Sequence, residues 1–336
     1  MPTDIIEDAV AENLVQDAAA APSMHNAQPW TFRFHRTGQS LELRADPGRV
    51  MPSSDPDNRA LHVGCGAALL NLRAAAAWRG LSPVVELLPD PSDPGLLAVL
   101  RFGPARGGEA EPELAGLHGA IADRRTSRHP FSDRPVPQAV REELAAEARQ
   151  EGASLTFPAG WHLSFVLELI DEAELEAGYR GDPDEERWLR LQDAEPGAAA
   201  PAQDAQDGVQ EESLGPMRDA GRAPVRDFAR RHPVAGRGSA DFERIPQLGI
   251  VSTREDGPRC WLGGGAAMER VLLGATRAGL ATALATQALE QPNLRWMLRD
   301  PSGAEGPVQM VLRLGYGPPG PASPRRPVRD VLEILP

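Results

Sequence analysis

Lysine is absent from this 336-residue chain, and all 35 of its positive side chains are arginine. That absence excludes a Schiff-base lysine, and with it the pyridoxal phosphate chemistry that depends on one. Cysteine is scarce as well. Cys65 and Cys260 are too few for a disulfide framework and lack the spacing of a zinc site, so a reducing compartment suits them. No apolar run approaches the roughly 20 residues a membrane-spanning helix needs. The opening residues, MPTDIIEDAV, are acidic where a secretory signal would be basic, so the chain reads as cytoplasmic. Positive charge is also in deficit: the net charge of −13 argues against nucleic acid as a partner, because binding phosphates along a backbone needs concentrated positive charge. What remains is 41% hydrophobic content, ordinary for a globular protein and enough for one large core or two medium ones.

What is present is a repeat. GCGAALLNLRAAAAWRGL, residues 64–81, aligns without gaps on GGGAAMERVLLGATRAGL, residues 263–280, at an offset of 199 positions (263 minus 64). The matches include Gly64/Gly263, Gly66/Gly265, Ala67/Ala266, Ala68/Ala267, Gly80/Gly279 and Leu81/Leu280, and a similar apolar strand follows each copy, ending at Gly103 and Gly315. A repeat this long is too large for a solenoid unit and predicts two fused half-domains, 1–112 and 113–336, packed as a dimer within one chain.

Within the first half, Ile5, Ile6, Val10 and Leu14 recur at helix spacing over residues 4–20, and Pro22 stops the helix. Trp30, Phe32 and Phe34 alternate with polar residues as a half-buried strand, with residues 41–44 as its hairpin partner. Short strands are expected near Val84 and Leu100. In the second half, a helix beginning near Leu114 leads into a basic cluster, and Pro137 is placed as the first-turn proline of a helix running to Gln150. A strand at 154–157, a helix at 162–177, strands at 249–252, 283–285 and 308–314, and a tail at 328–335 packing against the other half complete the pattern. Residues 181–241 are polar and irregular apart from a short amphipathic stretch at 225–230. An insertion of this kind is a lid, a binding loop or disorder, and Trp188, Leu189, Leu214, Met217 and Phe228 give it apolar residues with which to dock as a lid.

Two segments carry candidate chemistry. APSMHNAQPWTF, residues 21–32, leaves a helix and enters a strand while exposing Ser23, His25, Asn26 and Gln28. Its hydroxyl, carboxamides and backbone N–H groups suit a planar polar ligand, and the same residues read equally as an ordinary capped turn. RRTSR, residues 124–128, puts Arg124, Thr126 and Arg128 on one face of an extended segment, where they could converge on a phosphate; the alternative is a solvated basic turn. Gly263, Gly264 and Gly265 open a helix without GxGxxG or a P-loop, which favours helix packing. Ser23 with His25 lacks the elbow of a hydrolase, His62 near Cys65 reads as a residue at a helix start and not a metal ligand, and Asp184, Glu185 and Glu186 read as a solvated face.

PSxxNxQPW (from Pro22) and RRTSR together resemble the nitroreductase superfamily of FMN-dependent oxidoreductases, and the repeat with its insertion resembles the fused, Acg-type branch. The resemblance spans nearly the whole chain outside 181–241. It implies an α+β, nitroreductase-like fold whose tandem halves form an intramolecular pseudo-dimer with a lid insertion at 181–241. In such proteins two subunits share each FMN, one supplying the arginine segment and the other the turn. Here the first half has only the turn and the second only the arginines, with EGASLTF, residues 151–157, where its turn should be; one complete site per chain is the expected result. The resemblance places Arg124, Thr126 and Arg128 on the FMN phosphate and ribityl chain, with Pro22, Ser23, Met24, Asn26 and Gln28 approaching from the other half. It puts Leu284, Thr286 and Gln287 at the flavin's reactive edge and nominates Arg325 or Arg326 as a further phosphate contact. The chain departs from the family pattern in lacking lysine at these positions and in having glycines at 263–265.

The implied activity is transfer of hydride from NADH or NADPH through FMN to a nitroaromatic, quinone or similar small acceptor, with the flavin carrying the chemistry and no protein acid or base obligatory. A storage protein that holds FMN beneath a closed lid is the alternative. No metal, nucleic acid or membrane partner is implied, and the fused chain is expected to act as a monomeric pseudo-dimer, open to further association.

Overall fold

The structure is a computed structural model that describes residues 6–102, 111–191, 206–300 and 306–336. Gly103 and residues 192–205 of the insertion lie outside the described residues.

The N-terminal part contains α1 (Asp8–Ala19), β1 (Trp30–His35), β2 (Ser40–Ala45), α2 (Arg59–Trp78), β3 (Val84–Leu87) and β4 (Leu96–Arg101). The alternation at Trp30, Phe32 and Phe34 is realised: all three are buried in β1, and each contributes about 2 kcal/mol of apolar burial. After α3 (Pro112–Ala115) and α4 (His118–Ile121) come α5 (Gln138–Gln150), β5 (Ala153–Thr156), α6 (Gly160–Arg180) and α7 (Pro183–Trp188). Pro137 is the N-cap of α5, one position before its expected place in the first turn. Four short strands follow: β6 (Leu189–Arg190), β7 (Val209–Gln210), β8 (Met217–Ala220) and β9 (Ser239–Asp241). The remainder is β10 (Gln247–Thr253), α8 (Pro258–Arg277), β11 (Ala281–Leu284), α9 (Pro292–Met297), β12 (Val308–Gly315), α10 (Val328–Val331) and β13 (Leu332–Leu335).

One sheet has the order β13-β1-β2-β4-β3 and the other β11-β12-β10-β5, so each draws its strands from one side of the 112/113 expectation except for the tail. That tail crosses over. β13 pairs in parallel with β1, Phe32 opposite Leu332 and Phe34 opposite Ile334, and covers what would otherwise be an open sheet edge.

The repeated segments form α2 and α8, which cross in the core. A Cβ built on Gly66 would lie 2.8 Å from the carbonyl carbon of Leu262, and one built on Gly265 would lie 2.7 Å from that of Val63. Gly66 and Gly265 are equivalent in the repeat, and so are Val63 and Leu262, so the contact is reciprocal. Gly64 likewise packs on Pro22 and Ser23, while its equivalent Gly263 packs on Glu151. Close helix approach therefore explains Gly66 and Gly265, while Gly264 packs on Gln309 of β12. By length and composition α2 is apolar enough to cross a membrane, contrary to the reading of the sequence, but 78% of that window is buried inside the protein.

The insertion meets some expectations and corrects others. Leu214 and Phe228 bury their side chains, in a cluster with Leu191, Val209 and Ala229 that belongs to the insertion itself; Phe228 also meets His25, and Trp188 packs on Ala27 and Met51. Met217 does not: it stays 49% exposed on β8. Residues 225–230 form no regular element, with a turn at Phe228 and Ala229, although Arg226 and Phe228 are buried. Asp184 and Glu185 are not a solvated face. Asp184 is buried and accepts from the backbone N–H groups of Ser53 and Ser54, and Glu185 pairs with Arg226 at 2.6 Å.

Candidate functional site

The turn after α1 is wound tightly. His25, Asn26 and Gln28 adopt φ values of 49°, 54° and 51°, in the left-handed region that costs a non-glycine residue free energy unless its surroundings hold it there. The Ser23 hydroxyl accepts from the Gln28 backbone N–H at 2.9 Å. Asn26 donates from Nδ2 to the carbonyls of Gly208 and Pro324, each at 3.1 Å, and its Oδ1 accepts from Arg325 at 2.9 Å. The turn is thus held from the insertion on one side and the C-terminal segment on the other.

The arginine segment lies along the outer edge of β11. Thr126 bridges Thr282 in parallel, the Ser127 backbone N–H donates to the Thr282 carbonyl at 2.8 Å, and the Ser127 hydroxyl donates to the Pro318 carbonyl at 2.8 Å. That extended path directs Arg124, Thr126 and Arg128 into one cleft, as alternation requires, while Arg125 turns back onto the Arg124 carbonyl. Beyond Arg128, a buried ion pair fixes the chain. Arg313 of β12 bonds Glu243 at 2.5 and 2.7 Å, Arg313 also donates to the His129 carbonyl, and the Phe131 N–H donates to Glu243 at 3.0 Å.

The cleft between these segments is also lined by Leu284 and Thr286 from the loop after β11, by Arg325, and by Gly208, Ser213, Arg226 and Phe228 of the insertion. It contains about 830 Å³ of space between atoms, its open mouth included. Pro22, Ser23, Met24, Asn26, Arg124, Thr126, Arg128, Leu284, Thr286 and Arg325 are therefore brought together as the sequence suggested. Three candidates do not line it. Gln28 is fully buried as a tie, with Oε1 accepting from the Arg326 backbone N–H at 2.8 Å and Nε2 donating to the Gln206 carbonyl at 2.7 Å. Gln287 turns to Glu174 at 3.1 Å and lines a neighbouring cavity, and Arg326 pairs with Asp46 at 3.1 Å. His25, expected to be exposed, is buried edge-on to Phe228 with ring centroids 5.6 Å apart. Burial, reinforced by the charges of Arg226 and Arg128, holds its ring well below the usual histidine range, so it is neutral at neutral pH.

The electrostatics favour an anion. Burial depresses the Arg325 guanidinium to about 9, with Arg124 adding to the effect, and burial beside Arg226 and Arg237 depresses Arg128 to about 10. All remain cationic at neutral pH, which leaves positive charge without full compensation. Nε and Nη1 of Arg124 and Nε of Arg325 are buried without hydrogen-bond partners. Three arginines converging on one cleft suit a phosphate monoester, whose dianionic oxygens can accept charge-assisted hydrogen bonds from their guanidinium groups. The contribution missed by sequence reading, Arg226 above all, comes from an irregular segment whose path no periodicity encodes; Phe228 was expected only as an apolar residue of the lid. Among the described residues there is no cluster able to hold a metal ion.

No family model matches the chain. Relatives are found by direct comparison. A Mycobacterium tuberculosis protein provisionally named NAD(P)H nitroreductase acg is 30% identical over 99% of this chain and 98% of its own length. A second from the same organism, provisionally named NAD(P)H nitroreductase Rv3131, is 34% identical over 94% of this chain and 89% of its own. Among solved structures, the FMN and NADPH-dependent nitroreductase NfnB of a Sphigopyxis strain is 18% identical, covering 65% of this chain and 97% of that one with a TM-score of 0.38. An FMN-bound nitroreductase of Bacteroides fragilis is 16% identical, covering 60% and 88% with a TM-score of 0.35. With relatives at this identity along almost the full length of both chains, the protein belongs to the NAD(P)H nitroreductase family.

Proposed function

We propose that this chain is an FMN-dependent oxidoreductase that accepts hydride from NADH or NADPH and reduces a nitroaromatic, quinone or similar small acceptor. The observation that carries the reading is the cleft where the cationic side chains of Arg124, Arg128 and Arg325 meet the Ser23–Asn26 turn. Arg124, Arg128 and Arg325 would hold the phosphate, with the Thr126 hydroxyl beside them. The turn and the Leu284–Thr286 loop would flank the ring. FMN supplies the hydride chemistry when bound. The chain's own residues bind and orient it, and the insertion limits access of water. Addition of FMN to the purified protein, followed by anaerobic NADPH or NADH, tests this.

We further infer one site per chain, built between fused halves. The reciprocal approach of Gly66 to Leu262 and of Gly265 to Val63 supports this. So does the placement of Glu151 against Gly263, where Pro22 and Ser23 stand against Gly64. Around Glu151 the arginines are already neutralised: Arg73 pairs with Glu151 and Glu111, each at 2.6 Å, and Arg270 with Glu147 at 2.6 Å and Glu151 at 3.0 Å. FMN binding is accordingly expected at one molecule per chain.

Storage of FMN is the second reading, favoured by the insertion. Phe228 stands between His25 and Arg128, and Arg226 is anchored to Glu290 at 2.5 Å and Glu185 at 2.6 Å, so the cleft is covered on that side. Arg226→Ala removes this anchor and leaves two partly buried carboxylates to repel or take protons, which loosens the insertion. An enzyme gated by the insertion is expected to oxidise NADPH several-fold faster in this variant. A pure binder would retain FMN and stay inert, and stopped-flow flavin absorbance separates the two.

A further inference from the structure

Glu269 stands behind the cleft and does not line it. It lies on α8, fully buried, on the face that carries Ala266 and Leu273 into an apolar cluster with Leu70, Leu114, Leu117 and Ile121. Its Oε1 stands 3.4 Å from Arg124 Nε, near enough for an ion pair but outside hydrogen-bond geometry, and neither carboxylate oxygen has a hydrogen-bond partner. Asn71 of α2 and Arg325 of the C-terminal segment also favour its charged form. Of these groups Arg124 and Arg325 also line the cleft, and Arg124 is the one within ion-pair distance of Glu269. A carboxylate in this setting is a poor permanent ion. Burial pushes it up to about 7, with the attraction of Arg124 only partly opposing the effect.

We propose that Glu269 is the internal counter-anion of the phosphate site, a positioning residue that holds Arg124 ready and gives up its charge by taking a proton from solvent when the phosphate of FMN arrives. This rests on the FMN reading above. Two anions on one guanidinium in a dry site raise each other's proton affinity, and Glu269, already near neutrality, is the one that yields. The sign follows. Below pH 7 Glu269 is neutral before FMN binds, so no proton moves and affinity is insensitive to its titration. Above pH 7 it is ionised in the free protein and protonated in the complex, so FMN affinity falls as pH rises, by up to about tenfold per unit.

Calorimetric titration of the intact protein with FMN at pH 8, in two buffers of different ionisation enthalpy, reads the proton directly. At that pH the phosphate of free FMN is already a dianion and contributes little. About half a proton or more taken up per FMN is expected. Riboflavin, which lacks the phosphate, is expected to bind more weakly with no uptake in the same unmodified protein. Glu269→Gln should abolish the uptake, flatten the dependence of affinity on pH, and bind FMN more tightly than wild type at pH 8. FMN binding with identical apparent enthalpy in both buffers would overturn the assignment of Glu269 while leaving the cofactor reading intact, and equal uptake with riboflavin would overturn it equally. Absence of FMN binding altogether would overturn both.

Discussion

Replacing Arg124 and Arg128 together by alanine is expected to weaken FMN binding by about a hundredfold to ten-thousandfold while leaving the FMN-free protein no less stable than wild type. The first figure follows from two charge-assisted contacts to phosphate, each of about 1.5–3 kcal/mol. The second follows from the buried state of the arginines. Arg124 carries two N–H groups without partners, and Arg128 donates to the Ser213 carbonyl while otherwise facing Phe228 and the charge of Arg226. Buried guanidinium groups in that condition cost desolvation that is not fully recovered, so their removal relieves strain where a purely structural ion pair would be missed. Glu269 loses its neighbour in the variant, but burial already pushes it up to about 7, and it can take a proton at small cost. Fluorescence titration with FMN, beside urea unfolding of the FMN-free proteins, separates the two effects. Undiminished retention of yellow protein would remove the phosphate site; a large fall in FMN-free stability would make these arginines structural.

Gly66→Ala and Gly265→Ala are each expected to destabilise the fold by more than about 4 kcal/mol or to prevent soluble expression. A methyl group at either position would meet backbone, the carbonyl of Leu262 or of Val63, and backbone cannot rotate away as a side chain can. The helices would have to separate, and with them the layer that carries Cys65, Ala68 and Leu72 on α2 against Ala267, Val271 and Leu272 on α8 in the shared core. Gly119→Ala is the control. It lies in α4 with nothing within 4 Å of its Cβ, so it should be neutral or slightly stabilising. Equal tolerance of alanine at Gly66, Gly265 and Gly119 in denaturant titrations would contradict the close crossing on which the fused arrangement depends.

The parts of this molecule that were legible in the sequence are those written in a period or a repeat. Alternation at Trp30, Phe32 and Phe34 gave β1 and its pairing with β2, and the 199-residue offset anticipated that α2 and α8 are equivalent elements. Alternation also sorted Arg124, Thr126 and Arg128 from Arg125 and Ser127, because the segment is extended along β11. Residues placed by tertiary contact alone were not legible. Gln28 reads as a ligand contact, yet the C-terminal segment and the insertion claim both ends of its carboxamide. Arg325 and Arg326 are adjacent and chemically identical, and only tertiary partners separate them: Asn26 and the Ala20 and Ala21 carbonyls hold Arg325 at the cleft, while Asp46 and the Asp330 carbonyl draw Arg326 away. Asp184 reads as solvated until the N–H groups of Ser53 and Ser54 are seen to meet it across 130 residues. Glu269 carries no local signal, since its role depends on Arg124 arriving from another element.

The most direct test of the central claim is an absorbance spectrum of the purified protein loaded with FMN, recorded anaerobically before and after addition of NADPH and then NADH. One FMN per chain is expected, with loss of the oxidised flavin band on addition of at least one of the two nucleotides. A protein that takes up no FMN would contradict the assignment of the cleft, and FMN bound tightly but left oxidised by both nucleotides, in wild type and in Arg226→Ala alike, would contradict its assignment as an oxidoreductase.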